Sequence, residues 1–385
     1  MRVLYVLHEG GDNYNGASRS AVGLITELSK AGVQFFVVTP GENGIINNEL
    51  AKIPGIIILP RRYYRWVVRR PSRFPRNVYS NLDYFTRQSM VNYCVAKNLA
   101  RFIYDNQIDL VHTNSSVVNI GAEAARLAGV PHIWHVREFG NEDFGMAPYV
   151  SSKRYFKYME SHSEAIVCIS EAIASKYRGK VSDDVLHVVY NGAPIPPESI
   201  RSVKNYRTEP ITMLIAGRLS EKKGQRIAVD ALFELLNNGY ENLNLIIAGS
   251  GDSACLGENL EKCGSHVDLV GYVHDLTSIR QKADIELMCS YSEGFGRGII
   301  EAMASGPIVI AASGGAVPEI IVDGFNGLLF NPGNSHDLAE KIIKVLGMSE
   351  DECRNIRRNG YLNAERRFSV STNANNMLEA YRACL

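Results

Sequence analysis

The chain has 385 residues, 45% of them hydrophobic and 21% charged, with 41 basic residues balanced by 41 acidic ones. That length gives two or three domains with ample core, and the composition is that of a soluble globular protein. Seven cysteines, an odd number with no C-x-x-C pair, argue against a disulfide framework or a zinc ribbon and fit a reducing cytosol.

The apolar start stops at His8 and Glu9, too soon for a signal-peptide core. No run approaches the roughly 18 apolar residues of a membrane helix. The expected location is therefore the cytoplasm, with the inner face of the membrane open as a docking surface. Charge is uneven: residues 1–200 carry 22 Lys and Arg against 18 Asp and Glu, and residues 201–385 carry 19 against 23, so the halves stand at +4 and −4.

Short β-branched runs at Val3–Leu7, Phe35–Thr39, Ile56–Leu59, Leu110–Thr113, Ile133–Val136, Ile166–Ile169 and Val188–Tyr190 read as strands, several of them separated by helical stretches such as Ser20–Lys30 and Ala122–Ala128. Continuous apolar strands alternating with helices predict a parallel sheet covered on both faces. A stretch with four prolines, Asn191–Pro210, follows Tyr190 and reads as a linker at about residues 191–208. The alternation then restarts at Ile211–Ala216, Leu245–Ala248, Val267–Val270, Ile285–Cys289, Ile308–Ala311 and Leu328–Phe330. Two α/β domains are expected, residues 1–192 and 208–369, with a cleft between them.

Along that frame, several stretches carry chemistry. In the loop His8–Ser18, Gly16 lets backbone approach a phosphate or sugar. The stretch Arg61–Arg76 holds seven arginines interleaved with Tyr63, Tyr64, Trp66, Val67, Val68 and Phe74. Basic residues beside aromatics suit an anionic surface, so Arg61, Arg62, Arg65, Trp66, Arg69 and Arg70 are candidates for an acceptor or membrane contact. The alternative is a solvated loop, and no nucleic-acid module accompanies the patch. His135 ends a strand at a carboxyl edge, a place where a lone histidine is more often structural. His132 has the opposite parity on that strand.

In the second half, Arg218 and Lys223 lie five residues apart across a turn that opens a helix, so both cations can reach one diphosphate. The stretch Leu245–Ala254 mimics a dinucleotide fingerprint, with Asp268 about 20 residues on. That reading fails on position, because the acid stands at the start of the next strand rather than at its far end. The most informative stretch is Glu293–Gly306, EGFGRGIIEAMASG. Glu293 falls in the loop at a strand's carboxyl end, where parallel sheets bind ligands. Glu301 falls into the following helix, about 12 Å away at most. Gly294, Gly296 and Gly298 leave amides bare near a helix N-terminus. Together these suit a polyhydroxylated ligand that carries phosphate. No two aspartates are separated by one residue, so a D-x-D metal site for diphosphate is absent and no metal or cofactor is expected.

E-G-F-G, then four residues and E-A-M, then GGAVPE at Gly314–Glu319, resemble family 4 of the glycosyltransferases. The resemblance spans essentially the whole chain, strongest from Gly217 to Phe330 and weakest over residues 40–105. It implies an α/β, GT-B architecture of two Rossmann-like domains facing across a cleft, with the last helix (about 370–385) packing back on the first. It also implies a metal-independent, retaining hexosyltransferase that uses a nucleoside diphosphate sugar of UDP or GDP type and a glycan or lipid-linked acceptor, as in polysaccharide biosynthesis.

By the same resemblance Arg218 and Lys223 bind diphosphate, His135 contacts the donor sugar, Glu301 holds the ribose, and Glu293 with the amides of Phe295, Gly296 and Arg297 orients the sugar. Gly16 approaches the diphosphate and Val273 the base. The family commonly shows two glycines where Asn15 precedes Gly16 here. A sugar-nucleotide epimerase of the same fold, a dehydrogenase and a non-enzymatic sugar-nucleotide-binding protein remain the alternatives.

Overall fold

A computed structural model describes residues 1–10, 16–69, 83–140, 145–198 and 209–385. The chain forms two compact units, Met1–Gly192 with Val370–Leu385, and Ala193–Ser369. The strands are β1 (Arg2–Val6), β2 (Gln34–Thr39), β3 (Ile57–Pro60), β4 (Val67–Arg69), β5 (Leu110–Asn114), β6 (His132–Val136), β7 (Met146–Pro148), β8 (Ala165–Cys168) and β9 (Leu186–Val188) in the first unit. In the second they are β10 (Ile211–Ala216), β11 (Leu243–Ala248), β12 (Val267–Gly271), β13 (Ile285–Met288), β14 (Ile308–Ala312) and β15 (Leu328–Phe330).

The first unit is a seven-stranded parallel sheet in the order β3-β2-β1-β5-β6-β8-β9. Successive side chains of a strand point to opposite faces, and here both faces are dry. Val3, Tyr5, Phe35, Val37, Leu110, Ile133 and Val167 share one core with Leu24 and Ile25 of the helix Gly16–Lys30 and with Met377 and Tyr381 of the C-terminal helix Val370–Ala383. Leu4, Val6, Phe36, Val38 and Val111 share the other with Leu99 and Ile103 of the helix Ser89–Asp105 and with Ala124 of the helix Ile120–Ala128. The final helix thus belongs to the first sheet's core.

A small antiparallel pair, β4 with β7, stands apart from the main sheet. The second unit is a six-stranded parallel sheet in the order β12-β11-β10-β13-β14-β15. The alternate side chains Ile211, Met213 and Ile215 of β10, with Leu245, Ile285, Leu287 and Ile310, pack under Leu232 and Leu235 of the helix Gln225–Asn237 and Leu338 and Ile342 of the helix Ser335–Leu346. All seven cysteines are free thiols. Among the described residues, no helix is long and apolar enough to cross a membrane.

Candidate active site

In the second unit the carboxyl ends of β10 and β13 bring two distant residues together. Lys223 Nζ donates to Glu293 Oε1 at 2.6 Å, across 70 residues of sequence. Lys223 ends a short 3-10 turn, Glu221–Lys223, that follows β10. Gly224 comes next at φ +67°, and a Cβ there would fall 2.2 Å from the Cys289 carbonyl oxygen. Only glycine accepts both the left-handed backbone and that approach. Gly224→Ala is therefore expected to lower stability by about 2–3 kcal/mol, read as a lower denaturant midpoint.

Glu293 is held from the other side by the Gly314–Gly315 turn after β14. Its carbonyl accepts from Ala316 N at 2.8 Å, and a Cβ on Gly314 would meet the Tyr291 carbonyl oxygen at 2.1 Å. Gly296, at φ +92°, caps the helix Arg297–Ser305. Phe295 is buried with its ring edge-on to Phe368, centroids 5.7 Å apart. The Arg218 side chain is exposed, and no described carboxylate pairs with it.

Glu301 sits on that helix between two guanidinium groups. Arg297 Nε donates to Glu301 Oε1 at 2.8 Å and Arg280 Nη1 to Oε2 at 2.9 Å. Behind them Arg280 grips the fully buried Glu286 through three hydrogen bonds of 3.0–3.2 Å. Acid and base alternate along the four residues, so the buried charge cancels locally. Burial pushes the Glu301 carboxyl up, but Arg297 and Arg280 outweigh it and hold the group below its ordinary range. For Glu286 burial wins over Arg280, and its carboxyl is raised.

Arg280 and Glu286 are absent from the candidates read in the sequence. Their signal was present in Glu286 itself, a charge inside an apolar buried strand, which needs a partner. Val273 is half-buried and packs on a small apolar cluster with Leu214 and Ala248. Asp268 pairs in register with Ile246 near the start of β12 and is exposed.

In the first unit Gly16 is exposed at the start of its helix, and residues 11–15, including Asn15, lie outside the described residues. His135 is fully buried at the end of β6. Strand parity puts it on the same face as Tyr5, His112 and Asn114, with Arg137 next along. Arg137 is 8% exposed, and among the described residues its side chain reaches only neutral partners. Its Nε donates to Asn114 Oδ1 at 2.5 Å, its Nη1 to Asn191 Oδ1 at 2.7 Å, and its Nη2 approaches His135 Nδ1 at 3.4 Å. His8 joins through Asn114 at 3.3 Å; burial, then Arg65 and Arg137, push it down to about 3.

Glu138, also buried, accepts from the Ser115 hydroxyl at 2.9 Å and from the Ser116 amide at 2.7 Å. That grip holds Ser115 at φ +91°, a costly conformation for a residue with a Cβ. Neither Arg137 nor Glu138 was singled out in the sequence. His132, on the other face, is saturated by Thr113 at 2.8 Å and the His162 carbonyl at 2.9 Å, as its parity implied.

The arginine-aromatic stretch divides. Arg61, Arg62 and Arg65 are exposed, with Arg65 3.6 Å from Glu9. Arg69 lies in β4, and Arg70 lies outside the described residues. Trp66 is not at a surface: it is 5% exposed, its Nε1 donates to the Ser116 carbonyl at 2.7 Å, and its ring stacks on Trp134 and Tyr155. The correction is physical, since an indole with its one donor satisfied and both faces covered is core. A cavity of about 260 Å³ is lined by His8, Glu9, Gly10, Pro40, Tyr63, Arg65 and Val118.

Residues 14–195 match the family model described as Glycosyltransferase Family 4, and residues 197–363 match Glycosyl transferases group 1. An uncharacterised glycosyltransferase of Methanocaldococcus jannaschii is 28% identical over 264 residues, 67% of this chain and 70% of that one. The putative glycosyltransferase EpsD of Bacillus subtilis is 25% identical over 313 residues, 76% and 81% of the two chains. Two solved structures share the fold over the whole chain at 20% identity. One is a Rickettsia africae glycosyltransferase, with TM-score 0.78 and 98% of its chain covered; the other is Anabaena HepE in complex with UDP, with TM-score 0.75 and 100% covered.

Proposed function

The chain belongs to the family 4 glycosyltransferases, with the GT-B fold, and from that premise we propose a retaining, metal-independent transfer of a sugar from a nucleoside diphosphate sugar to a glycan or lipid-linked acceptor. The observation that carries it is the Lys223–Glu293 contact, which sets a cation and a carboxylate side by side at a sheet's carboxyl edge among glycines.

In this reading Lys223 and the exposed Arg218 take the charge that grows on the departing diphosphate, the largest usual term in such catalysis. Glu293 and the amides of Phe295, Gly296 and Arg297 orient the sugar. Glu301, kept ionised by its two arginines, is an acceptor-only group suited to two ribose hydroxyls. Val273 offers backbone to the base.

HepE was solved with UDP and with UDP-glucose. A Mycolicibacterium smegmatis relative, 29% identical over 153 residues, is named a phosphatidyl-myo-inositol mannosyltransferase. The first supports a nucleotide-sugar donor of UDP type, and the second supports a lipid-borne acceptor. Arg65, which lines the cavity with His8 and Tyr63, and the exposed Arg61 and Arg62 are the surface we assign to an anionic acceptor or membrane.

A thermal-shift panel of UDP, GDP, ADP and their sugars tests the donor. A matching nucleotide at a hundred times its Kd is expected to add about 2.7 kcal/mol of stability. The transferred sugar is expected to keep its anomeric configuration, at a rate that chelator leaves unchanged. An inverted product removes the retaining assignment, and donor turnover without acceptor points to an epimerase.

A further inference from the structure

We propose that Arg137 is a positioning residue for the transfer reaction: its donor-only guanidinium fixes the ring polarity of His135, so that the buried Nε2 is an N–H donor presented to a substrate oxygen. Its use by substrate rests on the transfer reading above; the ring polarity does not.

The polarity follows from what each group can do. A guanidinium donates and never accepts, so His135 Nδ1, 3.4 Å from Arg137 Nη2, is an acceptor. His112 Nε2 lies 3.1 Å from the same Nδ1 and must therefore carry its proton. A neutral ring protonated at Nε2 has a bare Nδ1. The Tyr381 hydroxyl, 2.8 Å from His112 Nδ1, is then the donor there.

Both rings stay neutral, since burial and the nearby Arg137 hold each well below the ordinary histidine value. The remaining proton of His135 is on Nε2. That atom is buried and has no hydrogen-bond partner among the described residues, which a fold rarely tolerates unless a ligand supplies one.

The anchor is firm at its other end. Asn114 Oδ1 accepts from Arg137 and, at 3.0 Å, from the Tyr5 hydroxyl. That assigns the Asn114 amide nitrogen to His8. The Tyr5 ring stacks on His112 at 4.2 Å and 18° between planes, fixing the plane of the second ring. No described carboxylate pairs with Arg137, so nothing draws its donors away. In this state His135 cannot serve as a base, because its free nitrogen already carries a proton.

The test is a long-range proton–nitrogen NMR correlation on full-length protein labelled with 15N-histidine, with His135 assigned by its loss in His135→Gln. The expected spectrum shows His135 protonated at Nε2 and bare at Nδ1, and His112 likewise. In Arg137→Met the chain of bonds is free to reverse, with Tyr381 accepting. His135 is expected to gain Nδ1–H, and kcat to fall by about tenfold or more with a smaller change in KM.

Arg137→Lys, which keeps a donor-only cation, is expected to restore Nε2–H. A wild-type ring protonated at Nδ1 overturns the proposal, whether or not the methionine variant folds. So does a folded Arg137→Met whose His135 is unchanged. If the rings behave as stated and no donor is turned over, the transfer reading fails, and with it the use of His135 by substrate, while the ring polarity set by Arg137 stands.

Discussion

Lys223→Ala is expected to lower kcat/KM for sugar transfer by on the order of 2–4 kcal/mol, and Glu293→Ala by a similar amount. The melting temperature of each variant is expected to stay close to that of the wild type. The two expectations together separate a catalytic pair from a structural one. The side chains are 43% and 18% exposed, and an ion pair so open to water contributes at most about 1 kcal/mol to folding. A purely structural pair would therefore cost little in either measurement.

A lysine that meets a departing diphosphate exerts its effect as charge grows in the transition state, so the loss falls on the rate. Because the 2.6 Å contact joins the two groups, the double variant is expected to lose less than the two single losses added. Steady-state kinetics with calorimetry on the three variants decides it. Near-normal rates in both single variants defeat the assignment.

Where the sequence spoke clearly, one residue's type sufficed to state its environment. The apolar runs of β1, β2 and β10 read as strands wet on neither side, and the sheet buries Val3–Leu7, Phe35–Thr39 and, in β10, Ile211, Met213, Leu214 and Ile215. Gly224 and Gly314 sit where a Cβ has no room, and glycine in a βα turn is a signal readable without coordinates.

Trp66 shows the limit. Beside arginines it looks like an interfacial anchor, yet Trp134 and Tyr155 cover it, and both are more than 60 residues distant in sequence. Long-range covering of that kind leaves no local trace. Arg137 was hidden for the same reason: its meaning lies in having no carboxylate paired with its side chain among the described residues, and in Asn191, which arrives from far along the chain. Glu286 was legible and passed over. A carboxylate in the run Ile285–Met288 demanded a cation, and Arg280 is only six residues upstream.

Arg280→Met is expected to cost about 3–5 kcal/mol of stability, because it leaves Glu286 ionised, buried and unpaired. Glu286 is 0% exposed, and among the described residues every hydrogen bond its carboxylate makes comes from Arg280. Removing both charges at once, Arg280→Met with Glu286→Leu, is expected to recover most of that loss, since matched apolar groups replace a buried pair at little cost.

The pH dependence gives a second, independent sign. In the single variant the folded-state value of Glu286, already raised by burial, loses the guanidinium that opposed the rise. A carboxyl with its folded value above its unfolded one stabilises below the unfolded value, and that contribution is lost as pH rises through the folded one. The single variant should therefore regain stability on acidification while the double variant does not.

Donor affinity separates stability from function. Glu301 keeps Arg297 in both variants but loses Arg280, so both should show a higher KM for the nucleotide sugar. Should the double variant recover stability and wild-type KM together, Arg280 would be a neutraliser of Glu286 alone, with no part in placing Glu301.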